Sequence, residues 1–265
     1  MKQTSNKTAT PTRKPRKYRN DFLKKVIARI DFAEPIELPK RGPPDPVVKE
    51  FKKRFPIAER KTRIRKQVTV HLSGEPEERQ TEIREWHYYS KSRHKKLVLT
   101  NQAMLIEYTR YNTFQTLQQD FLSTSGKLFE TFESLQVRRL GLRYIDHIEL
   151  DEPNPTDWLP YLSQDLLSIF RLSKNRQAIA RAFHVLELAY DDESRLCFQY
   201  GMPNPDFPAR IKRKFFTLDW DLYCNLLLER QEVARFLVLF HDRARDAFEE
   251  MITDELRQKM GAVYE

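Results

Sequence analysis

Charges set inside apolar, strand-like runs are the residues of this sequence best placed to do chemistry. In Leu140-Gly141-Leu142-Arg143-Tyr144-Ile145-Asp146-His147-Ile148 the period-2 alternation puts Asp146 with Leu142, Tyr144 and Ile148, on the side that should face a core. In Phe183-His184-Val185-Leu186-Glu187-Leu188-Ala189 the same count puts Glu187 with Phe183, Val185 and Ala189. Arg29 falls with Leu23 and Ile27 on one side of an earlier strand. A charge withdrawn from water is costly unless it finds a partner. Arg29, Asp146 and Glu187 therefore make a candidate polar site, suited to a small-ligand sensor or an enzyme. Structural ion pairs, or a sheet whose second face is solvated, are the plainer alternatives.

The second candidate is a basic segment. Between residues 40 and 66 there are eleven Lys or Arg against three acids. Lys49, Lys52, Lys53, Arg54, Arg60, Lys61, Arg63, Arg65 and Lys66 are its candidate contact residues, for nucleic acid or for an acidic protein partner. Phe51, Phe55, Trp86, Tyr88 and Tyr89 are near enough in sequence to add stacking surfaces. Residues 1–20 carry seven further cations and no acid, whereas residues 111–265 carry more acids than bases, so the net +9 is concentrated in the first part of the chain. Lys and Arg stems that merely cover apolar surface are the structural alternative.

The common catalytic signatures do not stand in this sequence. Its six glycines are far apart and build neither a phosphate-cradling loop nor a dinucleotide fingerprint. There is no His pair at metal-ligand spacing on one helix face and no Gly-x-Ser-x-Gly elbow. Arg235 and His241 on the last helix have the spacing of a cation beside a general base, at a frequency chance alone supplies. Pro44-Asp45 followed by Glu50-x-Lys52 resembles a metal-dependent nuclease motif, but the gap is short and the prolines deny it a strand pair. No catalytic residue, cofactor or metal ligand is assigned, and the enzyme reading leans negative. Cys197 and Cys224 read as reduced, buried thiols.

These groups must be held by an α+β fold. Residues 1–19 are poor in apolar side chains and read as a disordered basic tail, and 20–265 as a single domain. A strand over 22–32 presents Phe22, Val26, Ala28, Ile30 and Phe32 to the core. A proline-rich connector at 35–46 and a short helix at 47–55 follow, then strands at 66–72, 81–90 and 96–108. Phe114, Leu117, Phe121, Leu128, Phe132 and Leu135 stripe a helix over 113–135. A strand at 137–150, a short helix near 161–172, and strands at 178–190, 194–202 and 213–224 lead to a helix at 230–252. Thr253 is a cap for a further turn. Tight turns imply antiparallel pairing, and one-striped helices imply two long amphipathic helices on one face of the sheet or sheets. The repeated order of strands then long helix raises a loose duplication as an option.

Asn20-Asp21-Phe22-Leu23-Lys24-Lys25-Val26-Ile27-Ala28-Arg29-Ile30-Asp31-Phe32, Leu140-Gly141-Leu142-Arg143-Tyr144-Ile145-Asp146, and Phe240-His241 through Ile252-Thr253-Asp254-Glu255-Leu256 together resemble a sporadically distributed family of uncharacterised bacterial proteins. The resemblance runs from residue 20 to about 258 and brings no motif of known mechanism. It implies a bacterial cytosolic protein and, through patchy distribution, carriage on mobile or defence-related islands. The polar N-terminus and the lack of long apolar runs likewise predict a cytoplasmic protein without membrane contact. The leading reading is a non-enzymatic binding or regulatory protein with a protein partner, antitoxin-like or an accessory of a mobile-element or phage-defence module. Nucleic-acid binding through the tail and residues 40–66 is the alternative, and a ligand sensor or enzyme the third. Oligomeric state is not fixed by sequence.

Overall fold

A computed structural model describes Pro15 and residues 17–69, 77–150, 158–175, 178–209 and 215–264. Its architecture is α+β. A two-stranded sheet pairs β1 (Lys17–Tyr18) with β11 (Ala262–Val263). Nine strands form the main sheet: β2 (Leu23–Phe32), β3 (Ile57–Thr69), β4 (Glu77–Tyr89), β5 (Lys95–Leu99), β6 (Ala103–Tyr108), β7 (Val137–Glu149), β8 (Ala182–Ala189), β9 (Ser194–Met202) and β10 (Phe215–Cys224). Their order is β3-β4-β5-β6-β2-β7-β10-β9-β8, antiparallel at every pair. The helices are α1 (Asp45–Arg54), α2 (Phe114–Thr131), α3 (Gln164–Leu167), α4 (Arg230–Met251) and α5 (Asp254–Lys259).

Alternation along the strands decides which face is covered. Val26, Ala28 and Ile30 on β2, Leu140, Leu142 and Ile148 on β7, and Phe216, Leu218 and Leu222 on β10 are fully buried. Three helices reach the sheet from that side. The Phe51 ring of α1 meets Tyr88 edge-on at 5.3 Å, and the Tyr108 hydroxyl donates to Asp120 of α2. On α4, His241 Nδ1 lies 2.8 Å from the Tyr144 hydroxyl. Tyr88, Tyr108 and Tyr144 share one face through the registers Tyr88↔Leu97, Leu97↔Ile106, Ala28↔Ile106, Val26↔Tyr108 and Val26↔Tyr144. The apolar stripes sort these helices: Phe114, Leu117, Phe121 and Leu128 of α2, and Val233, Phe236, Leu237 and Phe240 of α4, are buried.

Local signals set the helix ends. Thr113 Oγ1 accepts from the Thr116 amide, and Thr253 Oγ1 from the Leu256 amide, each capping a first turn. Glu229 and Glu232 form a reciprocal capping box at the start of α4. In α1, Pro46 sits in the first turn, where its missing N–H costs nothing.

Three expectations change. The strand expected at 66–72 begins at Ile57, and the run 96–108 is two strands joined by a turn in which the Thr100 hydroxyl accepts from the Ala103 amide. The tail boundary at residue 19 falls inside described structure: Lys17 and Tyr18 pair with Val263 and Ala262, and the Arg19 amide donates to the Met260 carbonyl. The helix near 161–172 is a single α-turn, α3, followed by a 3₁₀ segment over Ser168–Leu172.

Candidate partner-binding surface

The basic segment becomes an arm. Strand β3 pairs with β4 from Ile57↔Tyr89 to Thr69↔Glu77, but β5 accompanies β4 only from Tyr89 to Trp86. From Lys61↔Glu85 outward, nine rungs have no third strand among the described residues. At about 3.4 Å per residue this two-stranded ribbon runs roughly 27 Å beyond its neighbours. None of its described side chains belongs to the core, and Ile64 is exposed.

Among the described side chains of the ribbon, charge is largely paired. Lys61 lies 3.7 Å from Glu59 and donates to the Tyr89 hydroxyl at 3.1 Å, and Arg63 lies 3.4 Å from Glu85. The hydrogen bond from Arg93, at 2.6 Å, holds the Glu59 carboxyl below its ordinary range. On α1, Lys53 pairs with Glu50, and Arg54 reaches both Glu50 and the buried Asp120. Lys49, Lys52 and Arg60 are exposed, with no ion pair among the described residues. The side chains of Arg65 and Lys66, and Arg13, Lys14 and Arg16 of the tail, lie outside the described residues. Lys40 and Arg41 are exposed at the ribbon's base, where Gly42 packs against the Trp86 indole. Trp86, Phe51, Phe55 and Tyr88 are core residues, so they do not supply stacking surfaces.

The three proposed polar-site residues are not brought together. Arg29 pairs across from Gly141, on the face away from the helices, and donates to Asp31 at 2.6 Å. Asp146 is on the helix-bearing face with Tyr144, as the alternation requires. Glu187 shares Arg29's face, but four strand spacings away, roughly 19 Å at about 4.8 Å each. It is exposed rather than core-facing, because it lies on the face away from the helices and β8 is an edge strand.

What Arg29 joins is a ladder of opposite charges across β2, β7 and β10. Arg143 makes a bidentate pair with Asp219 at 2.7 and 2.5 Å. Arg139 lies between Asp31, at 3.9 Å, and Asp221, at 3.8 Å, and over the Tyr223 ring. The arginines of this open sheet face cover the buried carboxylates Asp31 and Asp219, which they satisfy by ion pairs within and across strands. The signal was present in sequence as Arg139-x-Gly141-x-Arg143 alternating with Leu140-x-Leu142, and Thr217-x-Asp219-x-Asp221 alternating with Leu218-x-Trp220.

Several buried polar groups are paired, although the indole nitrogens of Trp86, Trp158 and Trp220 and the Thr217 hydroxyl have no hydrogen-bond partner among the described residues. Asp120 takes the Tyr108 hydroxyl, Lys95 at 2.8 Å and Arg54 at 2.8 Å, tying α1, α2, β5 and β6 together. Arg257 donates to Glu249 at 2.9 Å, and Tyr18 donates to the other Glu249 oxygen at 2.6 Å. His241, stacked on Phe114 at 3.9 Å, is pushed down to about 4 by burial. Neutral His241 has one donor and one acceptor nitrogen, and its Nδ1 shares a hydrogen bond with the Tyr144 hydroxyl. Among the described residues no group of His, Cys, Asp or Glu could hold a metal ion. Neither cysteine is in a disulfide; Cys224 is buried, and Cys197 half-buried on the open face.

No protein-family model matches this chain, and no curated protein matches it. No helix among the described residues is long and apolar enough to cross a membrane.

Proposed function

We propose that this protein is a non-enzymatic binding protein that engages an acidic protein partner through the β3–β4 ribbon and the basic surface at its base. One observation carries the reading: nine rungs of ribbon extend past the sheet while their described side chains add nothing to the core. Ordering a strand pair has an entropic cost that burial normally offsets. Among the described side chains, burial within the chain does not offset it. The ribbon's mixture of cations, carboxylates and exposed Ile64 suits a protein surface, because Lys61 and Arg63 already have carboxylate neighbours. In the setting that the family resemblance implies, the partner is a neighbouring gene product and the role is regulatory or antitoxin-like.

Nucleic acid is the second reading. Lys49, Lys52 and Arg60 lack ion pairs among the described residues, and a major groove admits a two-stranded ribbon. One variant tests both readings: residues 63–83 replaced by Asn-Gly, joining Thr62 to Arg84 across a rung that already exists. Co-purification with the neighbouring gene product should be lost in this variant. Equal co-purification of intact and shortened chains would sink the ribbon's role. Fluorescence anisotropy with a labelled duplex over a salt series decides the second reading, since phosphate contact gives an affinity that falls steeply with salt.

The duplication is likewise a proposal. Strands β2 and β7 stand side by side at the centre, each leading through a hairpin series to a long helix, α2 or α4. That equivalence of position supports descent from one repeated unit.

A further inference from the structure

The two edges of the main sheet differ in how they meet solvent. The β3 edge carries Arg60, Lys61 and Arg63, which discourage another strand from adding to it. The β8 edge has no such protection. Its sequence is Ala182-Phe183-His184-Val185-Leu186-Glu187-Leu188-Ala189, with a single charge. Phe183 is 42% exposed, Val185 60%, Leu186 48% and Leu188 40%, so apolar side chains stand open on both faces of one strand. No strand among the described residues pairs with its outer side. An edge of eight residues that is straight in register with β9 and apolar on both faces is a template for strand addition.

We propose that β8 is the docking edge for a second copy of this chain, the two β8 strands pairing antiparallel about a two-fold axis at His184. Charge complementarity selects both the occupant and the register. In an antiparallel two-fold pair, directly opposed residues must point to the same face. With His184 opposite its own copy, Phe183 faces Val185 of the second copy and Ala182 faces Leu186. One step further out, each Glu187 faces Arg181 of the other copy. Arg181 precedes the strand, is exposed, and continues the alternation onto the Glu187 face. The strand's lone carboxylate thus meets a cation twice, once at each end of the pairing. Shifting the register by two residues places Glu187 against Phe183 instead, and by four against Val185, so the charge match is specific to one alignment. Phe207, 51% exposed, packs under the Arg181 guanidinium at 4.3 Å and extends the apolar rim at each end.

Sedimentation velocity of the full chain over a concentration series tests this. A reversible dimer is expected, with backbone amides of 182–189 gaining hydrogen-exchange protection as the dimer fills. Glu187→Arg sets like charges opposite each other at both ends and should weaken dimerisation about tenfold. Arg181→Glu should do the same, and the double variant R181E/E187R should restore affinity by exchanging the charges. Far-ultraviolet circular dichroism and thermal melting of each variant confirm that the fold is retained. A monomer at every concentration overturns the proposal and leaves the edge to a different strand. A dimer indifferent to E187R, or one in which 182–189 gain no protection, overturns it by placing the interface elsewhere.

Discussion

Two buried residues give the protein opposing pH dependences. Burial, reinforced by the like charges of Asp21 and Asp219, pushes the Asp146 carboxyl up to about 8, against about 3.9 for an unfolded chain. Between those values the native state holds a proton that the unfolded state has released, so stability falls as pH rises through the window. For His241 the sign reverses. Burial lowers it to about 4 from 6.5, and through that range the unfolded chain binds the proton, so stability rises with pH. Above about pH 6.5 only the Asp146 slope remains. Thermal melts should show stability declining from about pH 6.5 to 8, and Asp146→Asn should remove most of that decline. Parallel profiles for the variant and the unaltered chain would show that Asp146 does not carry it. Asp120 makes a separate prediction. Asp120→Ala removes the carboxylate that Lys95 and the Tyr108 hydroxyl share with Arg54, which keeps Glu50, and should cost about 1–3 kcal/mol in urea unfolding. Asp146 was legible as an interior carboxylate from strand alternation alone. Asp120 was not, because its partners come from α1, β5 and β6, and no local pattern brings them to α2.

Among the elements, those that bury a face were legible, and the exposed first half of β3 was missed. Strand β2 and helices α2 and α4 follow the apolar periods, and their ends agree with the sequence reading to within a few residues. The first half of β3, Ile57-Ala58-Glu59-Arg60-Lys61-Thr62-Arg63, has no alternation to read, since Ile57–Arg60 form an edge of the sheet and Lys61, Thr62 and Arg63 are exposed beyond it. Its strand character comes from pairing with β4. Edge position is equally invisible: Glu187 shares its side of β8 with Phe183, Val185 and Ala189, yet no strand or helix among the described residues covers that side. Because the ribbon's described side chains are outside the core, replacing 63–83 by Asn-Gly should leave unfolding free energy within about 0.5 kcal/mol, the range of ordinary surface changes. A larger loss would mean the arm supports the sheet. The N-terminal clasp should behave oppositely. Tyr18→Phe removes the donor to Glu249, which Arg257 also holds, and should cost about 1–3 kcal/mol. Truncations probing the tail should therefore stop before Pro15, whose carbonyl accepts from Arg245 at 2.8 Å.

At the scale of the molecule the fold depends on a pairing between strands far apart in the chain. The hairpins β3–β4, β4–β5, β5–β6 and β8–β9 join sequence neighbours, so they follow from strand content and short connections. The central β2–β7 pair does not, because everything from α1 to α2 lies between its strands. Its register joins Val26 to Tyr144, Ala28 to Leu142 and Ile30 to Leu140, all side chains of the main core. On its other side β7 pairs with the whole of β10 from Leu140 to Glu149, so the seam lies in the middle of the sheet rather than at a margin. Such a seam should hold when the covalent link beside it is cut. Glu133 and Ser134 are exposed in the connection from α2 to β7, and a protease site placed there would divide the chain into its two halves. After cleavage of the folded protein both fragments should elute together by size exclusion, held by the β2–β7 ladder and by the contacts of α2 with α4. Separated in denaturant and refolded singly, each half presents a core strand as a bare apolar edge and should aggregate, whereas refolding the mixture should return the single peak. Fragments that part on cleavage without denaturant would show that the halves are independently stable units merely abutting at β2 and β7.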